Sequence, residues 1–157
     1  MLWSRTLNKR LRNKLKHKGG KMATATGKED NENEIRKLVD SWAAAVSEKD
    51  IDAIMKHYSE DVVVFDVPPP LQETGRDAYR KHWEDWLKMF DGPLNCEFKD
   101  MHITTGDDVA FLHTLTRVSE KKSGPDSGSW VRVTVGYRKI DGNWIATHEH
   151  VSVPAGG

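Results

Sequence analysis

Apolar residues recur with a helical period at the start of the patterned region. Ile35, Leu38, Val39, Trp42 and Val46 fall at i, i+3, i+4, i+7 and i+11 and share one helix face. Asp50 then offers a side-chain cap to a second, shorter helix with Ile51, Ile54, Met55 and Tyr58 on its buried side, ending within residues 58–61. Residues 62–67 are β-branched and aromatic and predict a strand, which Pro68, Pro69 and Pro70 terminate because proline supplies no ladder donor. After Gly75 the helical spacing returns in Tyr79, Trp83, Trp86, Leu87 and Phe90, and Asp91-Gly92-Pro93 stops that third helix. Beyond Pro93 the period becomes two, predicting strands near residues 97–103, 109–119, 129–140 and 144–153. Gly106-Asp107 and Asp141-Gly142 mark reversals between them, the second a tight hairpin turn, and residues 119–129 read as a loop.

Helices first and strands afterwards predict an α+β domain: three N-terminal helices packed on a curved, mainly antiparallel sheet, with one strand lying among the helices. There is no internal repeat. Three helices cover only one face of such a sheet, so the other face is expected to meet a second subunit in a homodimer.

Composition adds three limits. With 37% hydrophobic residues and apolar runs of only a handful of residues, the 157-residue chain has no sequence segment long enough to span a bilayer as a helix. Cys96 is the only cysteine, which excludes an intrachain disulfide and a cysteine-built zinc site and suits a reducing cytoplasm. The 24 basic and 24 acidic side chains balance overall, yet residues 1–21 carry eight basic residues and no acid. Residues 22–157 therefore hold 16 basic against 24 acidic groups, a poor surface for nucleic acid. Trp3, Leu7, Leu11 and Leu15 would form an apolar stripe on that basic leader, a pattern of targeting or membrane-surface helices. Gly19-Gly20 breaks it, and Met22 offers an in-frame start, so a mis-assigned start or appended segment is the favoured reading. Residues 22–33, polar and without period, are expected to be a flexible N-terminus, and residues 34–157 the domain.

The strings DIDAIMKHYSEDVVVFDVPPP, TGRDAYRKHWEDW, GDDVAFLHTLTR and WVRVTVGYRKIDGNWIATHEHVSVP resemble the SnoaL-like ketosteroid-isomerase homologues of the NTF2-like superfamily. The resemblance runs from about Ile35 to Pro154. It implies a cone-shaped fold enclosing an apolar pocket for a small hydrophobic ligand. It constrains chemistry loosely, because isomerases, cyclases, dehydratases and proteins without assigned chemistry share this fold. The resemblance places Asp66 on the catalytic-base position of ketosteroid isomerases. A carboxylate walled by Val64, prolines and tryptophans would be partly desolvated, which favours its neutral form and raises its basicity; this isomerase chemistry is itself a standard example of carboxylate tuning. The oxyanion-donating tyrosine corresponds to Trp42 and the protonated aspartate approximately to Gly136, so both donors are missing and steroid isomerisation itself is not expected.

Replacement groups are sought on the late strands. Arg132 and Thr134 share one strand face and His148, His150 and Ser152 another, while His113 shares its face with Phe111 and Leu115. Which faces look inward is left open by alternation alone. Dehydratases of this superfamily pair a histidine with an aspartate, which implies Asp66 acting with His113 or His148, and Arg132 steadying negative charge. Trp42, Tyr58, Trp83, Trp86, Arg132, Thr134 and His150 are the expected ligand contacts. Structural alternatives stand beside these: Asp66 bonding backbone N–H groups before the proline turn, tryptophans as core, and Arg76, Arg80 and Lys81 as a solvated helix face. His148-Glu149-His150 has two same-face imidazoles but no third ligand, so no metal is expected. With neither a phosphate loop nor a dinucleotide fingerprint, no organic cofactor is expected either. The alternative to an enzyme is a ligand-binding or assembly module with the same pocket.

Overall fold

A computed structural model describes residues 25–124 and 127–156. The leader and its apolar stripe lie outside the described residues. Three helices, α1 (Ala25–Glu48), α2 (Ile51–Met55) and α3 (Arg76–Leu87), pack on six strands: β1 (Tyr58–Phe65), β2 (Glu73–Thr74), β3 (Leu94–Thr105), β4 (Val109–Glu120), β5 (Trp130–Ile140) and β6 (Asn143–Ser152). The strand order is β2-β1-β6-β5-β4-β3, antiparallel except for the β1–β6 pair. The first predicted strand is thus part of the sheet, hydrogen-bonded between β2 and β6, rather than set apart among the helices.

Ile35 and Val46 on α1, Ile54 on α2 and Val62 and Val64 on β1 are fully or almost fully buried and join Tyr79 and Leu94 in one core. Asp50 caps α2, its carboxylate accepting from the Ala53 N–H at 3.0 Å. Tyr58, expected at the end of that helix, instead opens β1.

Residues 25–33, expected to be flexible, form the first turns of α1. Polar contacts dock these turns where no apolar stripe exists to reveal them. The Asn31 amide donates to the Gly106 carbonyl at 2.9 Å, Lys139 donates to the Asn31 side chain at 3.0 Å, and Thr105 donates to the Lys28 carbonyl at 3.2 Å. At the Asp141-Gly142 turn both residues have positive φ, 49° and 82°, the backbone that a two-residue hairpin of this twist requires.

One irregularity positions the site. On β6, Ala146 pairs with Tyr137 and His148 with Gly136, leaving Thr147 as an extra residue in a bulge. An extra residue reverses the alternation. Trp144 and Ala146 are buried before the bulge, Glu149 is buried after it, and His148 and His150 turn to the other face.

Candidate functional site

The concave face of the sheet and the helices enclose a cavity of about 510 Å³. Val131, Val133, Val135 and Tyr137 of β5 face it, with Leu112, Thr114, Thr116 and Val118 of β4 beside them. The helices close it with an aromatic wall. Trp42 meets Trp83 edge to face at 5.7 Å, Trp83 meets Trp86 at 5.3 Å, and Trp86 meets Phe90 at 4.8 Å. The helical period that buries Tyr79 and Trp83 also carries His82 toward the cavity.

Two polar clusters interrupt this apolar lining. Asp66 follows the end of β1, on the same side as Val62 and Val64. One of its carboxylate oxygens accepts from the Val67 N–H at 2.7 Å, and the other lies 3.5 Å from His82 Nε2. On the far side of the imidazole, His82 Nδ1 lies 3.2 Å from a Glu73 carboxylate oxygen. The three side chains are 17%, 15% and 13% exposed respectively. A carboxylate oxygen accepts, so its place beside Nδ1 suits an imidazole that donates from Nδ1 and turns Nε2 toward Asp66.

The second cluster centres on Glu149. Tyr58 donates to one of its oxygens at 2.8 Å and Tyr79 to the other at 2.9 Å. The carboxyl is buried, and burial pushes it up to about 7. The two tyrosine hydrogen bonds oppose that rise, and the neighbouring charge of Asp66 adds to it. Burial and the same carboxylate push Tyr58 and Tyr79 well above their ordinary values, so both stay protonated donors. His57, also at the cavity, is held below its ordinary value by desolvation.

The expected site residues divide between the two faces of the sheet. Asp66, Trp42, Tyr58, Trp83 and Trp86 line the cavity. His113, His148, His150, Arg132 and Thr134 do not, and this corrects their expected place. His113 is exposed on the outer face, stacked on His102 at 5.1 Å and on Phe111 at 6.5 Å. His148 bonds the Val63 carbonyl at 2.8 Å and meets Phe65 edge to face at 4.9 Å, and His150 meets the same ring at 5.7 Å. Arg132 is exposed and donates to the Val153 carbonyl at 2.8 Å; Thr134, also exposed, pairs across the strands with His150. The imidazole beside Asp66 is that of His82, 3.5 Å away, and not that of His113 or His148. Gly136 lies on the outer side too, a Cβ there meeting His148 Cβ at 3.6 Å, and its neighbours Val135 and Tyr137 face the cavity. Sequence reasoning missed His82, Glu73 and Glu149. Of these, His82 had a signal, lying three residues after Tyr79 on the same helical stripe. Among the described residues no group of three histidine, cysteine or carboxylate side chains is placed to hold a metal ion, and no helix is long and apolar enough to cross a membrane.

Comparison with known proteins agrees with this architecture. Residues 35–156 match the family model of the SnoaL-like domain. An NTF2-like protein of unknown function from Pseudomonas putida KT2440 is 36% identical, with 80% of this chain and 88% of that one covered and a TM-score of 0.74. A candidate scytalone dehydratase from Novosphingobium aromaticivorans DSM 12444 is 18% identical over 79% and 84% of the two chains, with a TM-score of 0.67. A ketosteroid isomerase-like protein from Erwinia carotovora atroseptica SCRI1043 is 22% identical over 78% and 96%, with a TM-score of 0.61. The latter two likenesses concern the fold alone. No curated protein matches the chain. A family match spanning most of the chain, on an α+β cone around an apolar cavity, makes this protein a member of the SnoaL-like family within the NTF2-like superfamily.

Proposed function

We propose that the cavity binds a small, largely apolar, carbonyl-bearing molecule and that Asp66 and His82 move a proton on it without a cofactor, as an isomerase or dehydratase does. The observation that carries this reading is the Asp66–His82 contact of 3.5 Å at the cavity wall, with Glu73 behind the imidazole. Such a pair can take a proton from the carbon next to the carbonyl. It can return that proton to another carbon, which isomerises the substrate, or pass it to a hydroxyl that leaves as water. The apolar walls withhold competing water, which favours proton transfer by side chains at the cavity wall. Glu149, oriented by the O–H groups of Tyr58 and Tyr79, meets the polar end of the molecule. Two structural relatives whose names point to dehydratase and isomerase-like chemistry are in keeping with this class.

The test needs no natural substrate. In D2O the α-protons of 2-tetralone exchange slowly, and the protein is expected to accelerate that exchange. Asp66→Asn and His82→Ala each remove the acceleration, whereas His113→Ala leaves it intact. Binding of 2-tetralone without acceleration would make the cavity a binding module in which Asp66 serves the Val67 backbone.

The outer face is assigned to a second copy of the chain. Phe65 and Phe111 are 38% and 47% exposed there beside three imidazoles, an aromatic surface that a homodimer would cover. Sedimentation at micromolar concentration is expected to give a dimer, and a monomer would reject the assignment.

A further inference from the structure

Charge is distributed unevenly around the cavity. Asp66 and Glu149 line it and Glu73 stands behind His82, whereas no lysine or arginine lines it among the described residues. The nearest guanidinium groups on the helices point their charge elsewhere. Arg76 donates to the Tyr58 carbonyl and pairs with Glu60, and Arg80 pairs with Asp52 and Glu84. Burial disfavours the charged form of His57, and the other imidazole at the cavity, His82, is set against three carboxyl groups. Each Glu149 oxygen accepts one tyrosine O–H and retains a second lone pair for a further donor. Three indoles line the same cavity, and indole ring faces attract cations.

We propose that the cavity selects by charge, taking an apolar amine whose ammonium group sits against Glu149, and rejecting carboxylates. This rests on the proposed binding of an apolar molecule and narrows its class. An ammonium donates to the free lone pairs of the carboxylate and supplies the counter-charge that burial denies it. A carboxylate in the same place meets Asp66 and Glu149 with no lysine or arginine among the described lining residues to receive it. Because Glu149 holds its proton up to about 7, occupation by a cation expels that proton and binding strengthens as pH rises through neutrality. The groups facing Glu149 are Tyr58 from β1, Tyr79 from α3, Tyr137 from β5 and Asp66 beyond β1. The tyrosines do not titrate in that range.

Three probes of one shape decide it: 2-naphthylmethylamine, 2-naphthylmethanol and 2-naphthoate, titrated calorimetrically into the full chain at pH 5.5 and 8. At pH 8 the amine is expected to bind about tenfold or more tightly than the alcohol, and the naphthoate about tenfold or more weakly. At pH 5.5 the preference for the amine shrinks, and at pH 7 amine binding releases protons in proportion to the protonated fraction of Glu149. In Glu149→Gln the amine is expected to bind no more tightly than the alcohol binds the same variant. Naphthoate binding as tightly as the alcohol, an amine preference that survives Glu149→Gln, or amine binding without proton release would each overturn the proposal. Should Glu149→Gln fail to fold, proton release by the unaltered chain decides alone. Exchange of 2-tetralone protons persisting after such a result leaves the proton-transfer reading standing and removes only the charge selection.

Discussion

Leu112 and His113 are neighbours on β4, and the sheet separates them completely. Leu112 is 2% exposed and lines the cavity, while His113 stands exposed in an imidazole and phenyl stack on the outer side. The same division runs along β5, where Val133 and Val135 face in and Arg132 and Thr134 face out. On β6 it is inverted midway by the bulge at Thr147, which brings Glu149 inside and sends His148 outside. Two chemistries thus share one sheet: buried carboxyl groups and tyrosines in a largely apolar cavity on one side, and histidines with exposed aromatic rings on the other. A residue's role follows from which face it reaches, and that depends on a single residue of register.

The largest contrast is expected in proton transfer. His82→Ala should lower the exchange rate of 2-tetralone by roughly a hundredfold or more, the usual contribution of a positioned acid–base group, and His113→Ala should change it less than about twofold. Equal effects would erase the distinction between the faces. Stability supplies the next contrast, on adjacent positions. Leu112→Ala should cost roughly 2–5 kcal/mol in urea unfolding, and Phe111→Ala roughly 0.5 kcal/mol or less in the isolated subunit. A larger cost for Phe111→Ala that grows with protein concentration would instead reveal the outer-face dimer.

A third contrast lies in pH. The Glu149 carboxyl is at about 7 when folded and near its ordinary 4.5 when unfolded, so its contribution is fully present below pH 4.5 and is lost as pH rises through 7. Glutamine does not titrate. The stability of Glu149→Gln relative to the unaltered chain should therefore improve by about 3 kcal/mol between pH 4.5 and pH 8, and a flat difference would mean that Glu149 is solvated. The smallest effect is expected for Arg132→Ala. With its guanidinium on the Val153 carbonyl outside the cavity, its loss should alter 2-naphthylmethanol affinity less than about twofold.

The sequence was most legible where burial is periodic. The apolar stripes of α1 and α3 and the alternation of β4 and β5 follow the structure closely, and the family resemblance that places Asp66 at the site rests on the same stretches. It was least legible where polar contacts or irregularities decide. The first turns of α1 are held by Asn31, Thr105 and Lys139, which carry no hydrophobic period. Glu149 was hidden because unbroken alternation from Trp144 and Ala146 points His148 and His150 inward, and only the extra residue at Thr147 reverses them. Strand β2, two residues long, is defined by its pairing with β1 and brings Glu73 to His82, a contact that no local pattern announces.

The central claim is that the working imidazole is the one beside Asp66 within the cavity. Nitrogen-15 NMR of the histidine rings tests it most directly, with signals assigned by single substitutions and 2-naphthylmethanol added to fill the cavity. The account predicts that the His82 ring resonances move on addition of the probe and again in Asp66→Asn, while those of His113 and His150 stay in place. Movement of His113 or His150 with His82 unchanged would contradict it and return the functional site to the outer face of the sheet.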